Sequence, residues 1–257
     1  MRGKMANSAR RIAALKIGST SVAALGADRL SHPDAYRVWL LGLVDAPSLR
    51  DRLAPVLAEV AAWLPRQALV GIGEVGRLRP ELADWLARWG WPVWQLSGTE
   101  EAQCTWWGVQ AGRDRPAVVV DVGGASTELC DGCAAASWPF GAARPPCRGT
   151  RLDAPWAPGA RELVAVGGTA VALAAMAGSP RLERPALVGW SQRPSEVARC
   201  AAGQGVDPAR AALLPGGIRS LLHVMDSLGA PALEVSQRGL VHGLWLAARL
   251  GRVPHAR

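Results

Sequence analysis

Residues 121–128 read Asp-Val-Gly-Gly-Ala-Ser-Thr-Glu and combine the end of a strand, a glycine turn and two carboxylates. The preceding residues 116–120 are mostly apolar and β-branched, which predicts a buried strand. Glycine lets backbone N–H groups approach an anion closely, and the serine and threonine add hydroxyl donors. The segment therefore indicates a phosphate-binding turn, although a plain glycine turn between two strands would also explain it. Because carboxylates repel phosphate, we interpret Asp121 and Glu128 as ligands of a metal ion or of its water.

The composition describes a globular protein with one large or two smaller domains, and we favour two. The 257 residues are 49% hydrophobic and 19% charged, and no segment approaches the roughly 20 uninterrupted apolar residues of a membrane span. The net charge of +8 comes almost entirely from arginine, because Lys4 and Lys16 are the only lysines. Such a surface attracts polyanions, and charge alone does not choose among nucleic acid, nucleotide and polyphosphate. We interpret most of the 12 tryptophans as core residues and expect no specific nucleic-acid binding.

The N-terminus and the cysteines favour a cytoplasmic protein. Lys16 interrupts the apolar run that a secretory signal needs, and the polar residues 18–21 follow it. The cysteines are odd in number, five, which fits a reducing compartment. Cys130 and Cys133 have the spacing of a metal-binding pair, but the Asp-Gly pair between them predicts a two-residue hairpin turn, which we prefer.

Hydrophobic periodicity predicts strands that alternate with helices through the first half of the chain, and a more varied pattern afterwards. The predicted strands are Ile12–Ile17, 22–25, 68–72, 92–96 and Leu163–Val166. The predicted helices run from an N-cap at Ser48 to Pro65 and over residues 80–89, 170–177, 210–228 and 237–250. Residues 140–158 are rich in proline and arginine, so we expect irregular loops there.

Three glycine motifs, each at the end of a predicted strand, follow one another along the chain. They are residues 16–21 (Lys-Ile-Gly-Ser-Thr-Ser), residues 121–128 and residues 166–169 (Val-Gly-Gly-Thr). In this order they resemble the two phosphate loops and the adenosine-type loop of the actin-like ATPase superfold.

Further blocks make the resemblance closest to the Ppx/GppA family of exopolyphosphatases and guanosine pentaphosphate phosphohydrolases. Residues 96–102 (Leu-Ser-Gly-Thr-Glu-Glu-Ala) are similar to that family's Ser-Gly-x-Glu-Glu-Ala block, and residues 214–217 and 235–243 are similar to its closing elements. The resemblance covers nearly the whole chain and implies an α/β fold of two actin-like (ribonuclease H-like) domains of mixed sheets with flanking helices. The domains face each other across a central cleft that holds a phosphate chain or the phosphate tail of a nucleotide. We place them at residues 1–115 and 116–257, and allow the last helix to pack back on the N-terminal domain.

The resemblance also implies a hydrolase that removes the terminal phosphate of inorganic polyphosphate or guanosine pentaphosphate (pppGpp), usually with Mg²⁺ or another divalent cation. Asp121 and Glu128 would hold the metal and its water, and Glu100 or Glu101 would be the general base. Neighbouring helical side chains diverge by about 100°, so only one of these two glutamates can face the cleft. The implied catalytic residues are thus Glu100, Glu101 and Glu128, and the implied phosphate ligands are Lys16, Gly18, Ser19, Arg77, Gly123, Gly124, Ser126, Thr127, Gly167, Gly168 and Thr169. Arg77 fits a solvated surface arginine equally well, and a homodimer is compatible with the resemblance.

Several residues depart from the family pattern, and Lys16 matters most because the family has an aspartate there. A lysine that points into the cleft would bind phosphate directly and repel Mg²⁺; at an effective dielectric constant of about 20, two unit charges about 4 Å apart interact by about 4 kcal/mol. Ala125 replaces a glycine, and Gly73-Glu74 replaces a Thr-Ser pair. We also expect residues 28–41 to be too short for the family's full set of strands, and the chain to lack the extra C-terminal domain of longer relatives.

Three functions stay open on the sequence alone. The first is a phosphoanhydride hydrolase, and the second is a polyphosphate- or alarmone-binding protein whose catalysis is weak or absent because of Lys16. The third is an actin-like kinase, which the lack of a distinct sugar-binding signature disfavours.

Overall fold

The computed structural model describes residues 12–27, 35–40, 49–62, 68–157 and 162–252. The predicted N-cap at Ser48, the predicted helix end at Pro65 and the basic N-terminal residues lie outside the described residues. Within the described residues, no helix is both long enough and apolar enough to cross a membrane.

The first half of the chain forms a five-stranded mixed sheet. Its strands are β1 (Ile12–Ile17), β2 (Ser21–Ala27), β3 (Ala35–Leu40), β4 (Leu69–Ile72) and β5 (Val93–Gln95), in the spatial order β3-β2-β1-β4-β5. The first three strands pair antiparallel, whereas β4 pairs parallel with both β1 and β5. Helices α1 (Leu49–Ala61), α2 (Glu74–Leu78) and α3 (Glu81–Ala87) connect the later strands. The buried face of α1 carries Leu49, Leu53, Leu57 and Val60 at the helical spacing predicted from the sequence.

The second half forms a six-stranded mixed sheet, which follows helix α4 (Gly98–Gln110) in the chain. Its strands are β6 (Val118–Val122), β7 (Thr127–Cys130), β8 (Ala135–Trp138), β9 (Leu163–Val166), β10 (Arg181–Glu183) and β11 (Ala232–Val235), in the order β10-β11-β9-β6-β7-β8. Helices α5 (Gly167–Ala177), α6 (Arg184–Ser191), α7 (Pro194–Gly203), α8 (Pro208–Leu228) and α9 (Leu240–Arg249) complete this half. The α/β class with two mixed sheets is as predicted from the sequence.

The two sheets contain the same hairpin at corresponding places. Strands β1 and β2 are antiparallel, and the amide of Gly18 donates to the carbonyl of Ser21 at 2.9 Å. Strands β6 and β7 are antiparallel as well, and the amide of Gly123 donates to the carbonyl of Ser126 at 2.9 Å. The first strand of each hairpin is also parallel to the strand on its other side, β4 or β9. The two glycine turns therefore lie at equivalent positions in the two sheets.

Helices α4 and α9 cross closely and join the two halves. A Cβ atom on Gly243 would overlap the carbonyl oxygen of Cys104, and one on Gly108 would overlap the carbonyl oxygen of Gly239. The indole of Trp245 in α9 donates to the carbonyl of Ile12 in β1 at 3.1 Å. Helix α9 thus packs on the first sheet, while the domain boundary at residue 115 stays a prediction.

Some local predictions are corrected by the structure. The hairpin between β7 and β8 is present, but the amide of Asp131 donates to the carbonyl of Ala134 at 3.2 Å, so the central residues of the turn are Gly132 and Cys133. Gly132 has a φ of +96°, which favours glycine. Residues 35–40 form β3, within the segment 28–41 that we expected to be too short for the family's full set of strands. Residues 140–157 contain no helix or strand, as expected, whereas the periodicity did not predict α6, α7, β10 or β11.

Candidate functional site

The two glycine turns meet at the junction of the two sheets. A Cβ atom on Gly124 would lie 2.6 Å from Ser19 Oγ and 2.5 Å from Thr20 Cγ2, so the second turn packs directly on the first. The turn before α5 reaches the same place, and the three turns line a cavity that we call the loop cavity. Of the predicted site residues, its wall contains Lys16, Gly18, Ser19, Glu101, Gly123, Gly124, Ser126, Gly168 and Thr169.

Lys16 and Asp121 occupy equivalent positions in the two hairpins, each two residues before the glycine of its turn. Lys16 Nζ lies 3.8 Å from Asp121 Oδ2. The side chain of Lys16 is 19% exposed and that of Asp121 is 4% exposed, so the pair is largely shielded from water. The other oxygen, Asp121 Oδ1, is buried, and no described group donates a hydrogen bond to it. At 3.8 Å the attraction is electrostatic, because a hydrogen bond of this type is shorter.

Lys16 carries its positive charge in this setting. Burial lowers the pKa of Lys16, but attraction to Asp121, Glu101 and Glu128 outweighs burial and leaves the pKa above its ordinary value. The side chain also folds over Gly18, where an added Cβ atom would lie 3.3 Å from Lys16 Cε. The ammonium group therefore lies beside the backbone of the first turn.

The two glutamates at the start of α4 have different environments. Glu100 caps the helix, because its carboxylate accepts from the amide of Ser97 at 2.7 Å and Ser97 Oγ accepts from the amide of Glu100 at 3.2 Å. Glu101 lines the loop cavity, is 6% exposed and packs on Gly73, where a Cβ atom would overlap its carboxylate. Burial is the main cause that raises the pKa of Glu101 above its ordinary value. The structure thus brings Glu101 to the cavity and turns Glu100 away from it.

The guanidinium of Arg77 is committed to protein groups. It donates to Glu74 Oε2 at 2.8 Å and 3.1 Å and to the carbonyl of Leu96 at 2.7 Å, and it lies 3.5 Å from Glu101 Oε2. Glu74 lines the loop cavity, but among the described residues Arg77 is not part of the wall. The predicted contact of Arg77 with phosphate gains no support from this arrangement. Its contacts instead hold Glu101 in place and neutralise Glu74.

Two further predicted site residues lie behind the second turn and not in the cavity. Thr127 is fully buried, and its hydroxyl donates to the carbonyl of Phe140 at 2.7 Å, so the hydroxyl is not available to a phosphate. Glu128 is 2% exposed and accepts from Ser137 Oγ at 2.9 Å. Burial and two neighbouring carboxylates raise the pKa of Glu128 well above its ordinary value. We therefore reinterpret both residues as supports of the second turn.

The first turn of α5 requires glycine and exposes helix amides. Gly167 has a φ of +86°, and a Cβ atom there would lie 2.6 Å from Asp121 Oδ1. Gly168 and Thr169 lie in the first turn of α5, where backbone amides have no intrahelical acceptor. The positive end of the helix dipole and these amides together favour an anion at the loop cavity.

Arg210 is a site residue that the sequence patterns did not indicate. It lies in the first turn of α8, which Asp207 caps by accepting from the amide of Ala209 at 2.8 Å. Its guanidinium covers Gly168, where a Cβ atom would overlap Nη1, and it lines the loop cavity. Burial lowers the pKa of Arg210, but an arginine stays charged at neutral pH. The Asp207 cap signals where α8 begins, but only the tertiary structure brings Arg210 to Gly168.

A larger cavity of about 480 Å³, which we call the outer cavity, adjoins the loop cavity. The two cavities share Lys16, Ser21, Gly168 and Arg210. The volume of the outer cavity lies within the range of roughly 300 to 1,000 Å³ that is typical of small-molecule sites. Its wall is mostly apolar and includes two rings, those of Tyr36 and His242. Besides the four shared residues, the wall contains Ala23, Val38, Asp121, Gly167, Val171, Ala172, Ala175, Val206, Asp207, Gln237, Gly239, Leu240 and Val241.

The donor set around Asp121 fits a divalent cation poorly. Asp121 Oδ1 is a buried acceptor that a metal ion would satisfy, but Glu128 is bonded to Ser137 and the Lys16 ammonium lies 3.8 Å from Asp121 Oδ2. Among the described residues, no three His, Cys, Asp or Glu side chains are grouped closely enough to hold a metal ion. The Mg²⁺ site expected at Asp121 and Glu128 therefore gains no support from the residues present.

Two mixed sheets with matching hairpins that face one cavity define an α/β protein with a cleft between two similar halves. The structure is similar to that of an exopolyphosphatase from Cytophaga hutchinsonii, with a TM-score of 0.77 and 18% identity over 95% of this chain and 99% of that chain. It is also similar to a Ppx/GppA family member from Aquifex aeolicus, with a TM-score of 0.72 and 20% identity over 94% and 98% of the two chains. An exopolyphosphatase-like protein gives a TM-score of 0.71 and 21% identity over 94% and 98%.

The chain therefore has the fold of Ppx/GppA proteins along nearly its whole length, and the predicted α/β fold with two mixed sheets is confirmed. No protein-family model matches the sequence, and no curated protein matches it. At such low identities the similarity shows the fold and not the activity.

Proposed function

We propose that the chain is a Ppx/GppA-type phosphatase that hydrolyses the terminal phosphoanhydride bond of a nucleoside polyphosphate such as guanosine pentaphosphate. The observation that carries the proposal is the convergence of three glycine turns, Lys16, Arg210 and the buried Glu101 on the loop cavity. Backbone amides at glycine turns and at helix N-termini are common ligands of phosphate groups. The cavity thus combines groups that bind phosphate with a carboxylate that can accept a proton.

Each group in the loop cavity has a role in the proposed reaction. The terminal phosphate lies among the amides of the three turns, and Lys16 and Arg210 offset its negative charge. Glu101 accepts a proton from a water molecule as the water oxygen bonds to the terminal phosphorus. The bond from that phosphorus to the bridging oxygen breaks, and the leaving phosphate keeps the bonding electrons. The products are inorganic phosphate and a chain that is one phosphate shorter.

Glu101 suits the role of base for two reasons. Burial raises the pKa of Glu101, and a carboxylate with a raised pKa is a stronger base. Arg77 lies 3.5 Å from Glu101 Oε2 and is anchored on Leu96 and Glu74, so it fixes the direction of the carboxylate. We therefore propose Arg77 as a positioning residue and not as a phosphate ligand.

The outer cavity favours a nucleotide over inorganic polyphosphate as the substrate. It opens beside Lys16 and Arg210, so a nucleotide with its phosphates in the loop cavity would place its base in the outer cavity. The ring centroids of Tyr36 and His242 are 5.6 Å apart. These rings and the apolar wall suit a base and ribose. A linear polyphosphate has no apolar part that would use this wall.

The proposal is tested by incubating the purified full chain with pppGpp, polyphosphate and ATP, with Mg²⁺ and with EDTA, and measuring the phosphate released. We expect release from pppGpp to be the fastest. Ala175→Trp fills the outer cavity from an exposed helix position, so we expect it to lower kcat/KM for pppGpp about tenfold and to leave polyphosphate nearly unaffected. Ala177→Trp, exposed on the same helix but outside both cavities, is the matched control. Absence of release from every substrate would reject the hydrolase.

A second candidate is a phosphate-chain-binding protein without turnover, and the Lys16–Asp121 pair is the observation that favours it. In metal-dependent hydrolysis a divalent cation activates the attacking water. The Lys16 ammonium beside Asp121 would take the place of that cation. Tight binding of pppGpp without phosphate release, with or without Mg²⁺, supports this candidate. Recovery of release in Lys16→Asp with Mg²⁺ would support it further.

A further inference from the structure

We infer that the Lys16 ammonium takes the place of a divalent cation at the junction of the two hairpins, so that the cavity holds a phosphate chain without a metal ion. The inference rests on the phosphate site proposed above and adds the identity of its central cation.

Lys16 lies at the point where the two halves of the molecule bring their carboxylates together. Asp121 Oδ2 is 3.8 Å from Lys16 Nζ, and Glu101 and Glu128 are near enough to interact with Lys16 electrostatically. The ammonium therefore already neutralises part of the negative charge that would attract a metal ion. A divalent cation that entered beside Asp121 would also be repelled by it at short range.

The ammonium has donors to offer a ligand. It carries three N–H groups, and the 3.8 Å separation from Asp121 Oδ2 is longer than a hydrogen bond. Lys16 lines both the loop cavity and the outer cavity, so Nζ can donate to phosphate oxygens while Asp121 stays its charge partner.

Arg210 supplies a second positive charge from the other half of the molecule. Its guanidinium covers Gly168 in the third turn and lines the same two cavities as Lys16. A phosphate chain in the loop cavity would thus meet one cation from β1 and one from α8. Two fixed cations and the turn amides can offset the charge of the chain without a metal ion.

Calorimetric titration of the full chain with tripolyphosphate in EDTA tests the inference. We expect the wild type and Lys16→Arg to bind, and Lys16→Gln to bind about tenfold more weakly because one charged donor is lost. Arg181→Gln is the control, because Arg181 is exposed on the edge strand β10, pairs there with Glu183 and lies outside both cavities. Its loss changes the net charge by the same amount as the loss of Lys16. Thermal unfolding verifies that each variant is folded.

Binding of Mn²⁺, followed by electron paramagnetic resonance, is a second readout that needs no turnover. We expect no Mn²⁺ binding to the wild type at low millimolar concentration, and binding to Lys16→Asp, where two carboxylates would face each other. Binding of Mn²⁺ to the wild type as tightly as to Lys16→Asp would overturn the inference. Binding of tripolyphosphate only when Mg²⁺ replaces EDTA would overturn it as well.

Phosphate release distinguishes this inference from the proposed function. Metal-free binding of tripolyphosphate without release from any substrate supports the inference and rejects the hydrolase. Release that depends on Mg²⁺, with Mn²⁺ bound by the wild type, supports the hydrolase and overturns the inference.

Discussion

The β1–β2 and β6–β7 hairpins share one backbone design but carry opposite charges. In each, a glycine amide closes the turn on a serine carbonyl at 2.9 Å, and the residue two positions before that glycine lies at the junction of the hairpins. This residue is Lys16 in the first hairpin and Asp121 in the second. Glycine and strand pairing determine the turn and tolerate either charge. We therefore expect the side-chain charge at the junction, more than the loop geometry, to decide what the cavity binds.

A second pair of glycines extends this comparison. Gly73 follows β4 and is covered by the carboxylate of Glu101, whereas Gly168 follows β9 and is covered by the guanidinium of Arg210. Each sheet therefore has one glycine that leaves room for a long charged side chain from a helix. Together with the hairpins, each half therefore presents one cation and one acid at the junction: Lys16 and Glu101 in the first half, and Arg210 and Asp121 in the second.

The largest effect, on catalysis, is expected from Glu101, whose carboxylate covers Gly73. Glu101→Gln removes the proposed base, and we expect a loss of about 10²- to 10⁴-fold in kcat for pppGpp, measured as phosphate release. Glu100→Gln is the matched control, because glutamine at this helix position keeps the capping box and the activity should change less than about threefold. A larger loss in Glu100→Gln than in Glu101→Gln would reverse the assignment.

The charge pair between the hairpins should contribute the next largest effect, on stability. Lys16→Gln leaves Asp121 largely buried without its partner, so we expect a loss of about 3 kcal/mol in the free energy of unfolding. The double variant Lys16→Gln/Asp121→Asn removes both charges and should lose clearly less than the sum of the single variants. Urea unfolding measures all three, and additive losses would show that the two charges are not coupled.

Two histidines should differ in their contribution to acid sensitivity: His242 on α9, which packs on the first sheet, and His223 on α8. Burial lowers the pKa of His242 to about 4, whereas the lowering of the His223 pKa by burial is opposed by Asp226. A lowered histidine pKa means that the unfolded chain binds the proton first. His242 therefore contributes a loss of stability as pH falls from about 6.5 toward 4, of about 2 kcal/mol between pH 7.5 and pH 5. Glu101 and Glu128, whose pKa values are raised, act in the opposite direction, so the contribution of His242 is measured as the difference between the wild type and a variant that does not titrate at this position.

His242→Asn should remove most of this loss. Asparagine can accept from the amide of Gly239, as His242 Nδ1 does at 3.2 Å, but it does not titrate. The measurement is urea unfolding at both pH values for the wild type, His242→Asn and His223→Asn. An equal pH dependence in His242→Asn and the wild type would contradict the assignment.

The smallest effect, on phosphate binding, is expected at Gly168, which the guanidinium of Arg210 covers. Gly168→Ala would displace the flexible end of Arg210, so we expect tripolyphosphate to bind about tenfold more weakly, equivalent to about 1.4 kcal/mol. Gly203→Ala is the control, since nothing lies within 4 Å of a Cβ atom there. Calorimetry measures the affinities, and unchanged binding in Gly168→Ala would remove Arg210 from the site.

The sequence predicts the central elements of both halves well, because their signals are local. The apolar runs of β1, β6 and β9 and the spacing of buried leucines in α1 each lie within a few residues. Strand β3 is different, since Tyr36 and Val38 are exposed at a sheet edge and the side chains described in this strand, residues 36–39, show no buried face. Its placement depends on pairing with β2, which periodicity does not contain.

The site is predicted where it depends on glycine turns and missed where it depends on contacts distant in the chain. The three turns do meet at one cavity. The choice between Glu100 and Glu101 requires knowing which face of α4 meets Gly73, and the burial of Thr127 requires knowing the path of the loop at Phe140. Arg210 has no local motif at all, because its significance comes only from its contact with Gly168.

The most direct test of the central claim is a crystal structure of the full chain with tripolyphosphate bound in the presence of EDTA. We predict phosphate groups at the amides of the three glycine turns, with Lys16 Nζ and the Arg210 guanidinium within hydrogen-bond distance of phosphate oxygens. An empty loop cavity, with tripolyphosphate bound only at surface arginines, would contradict the account.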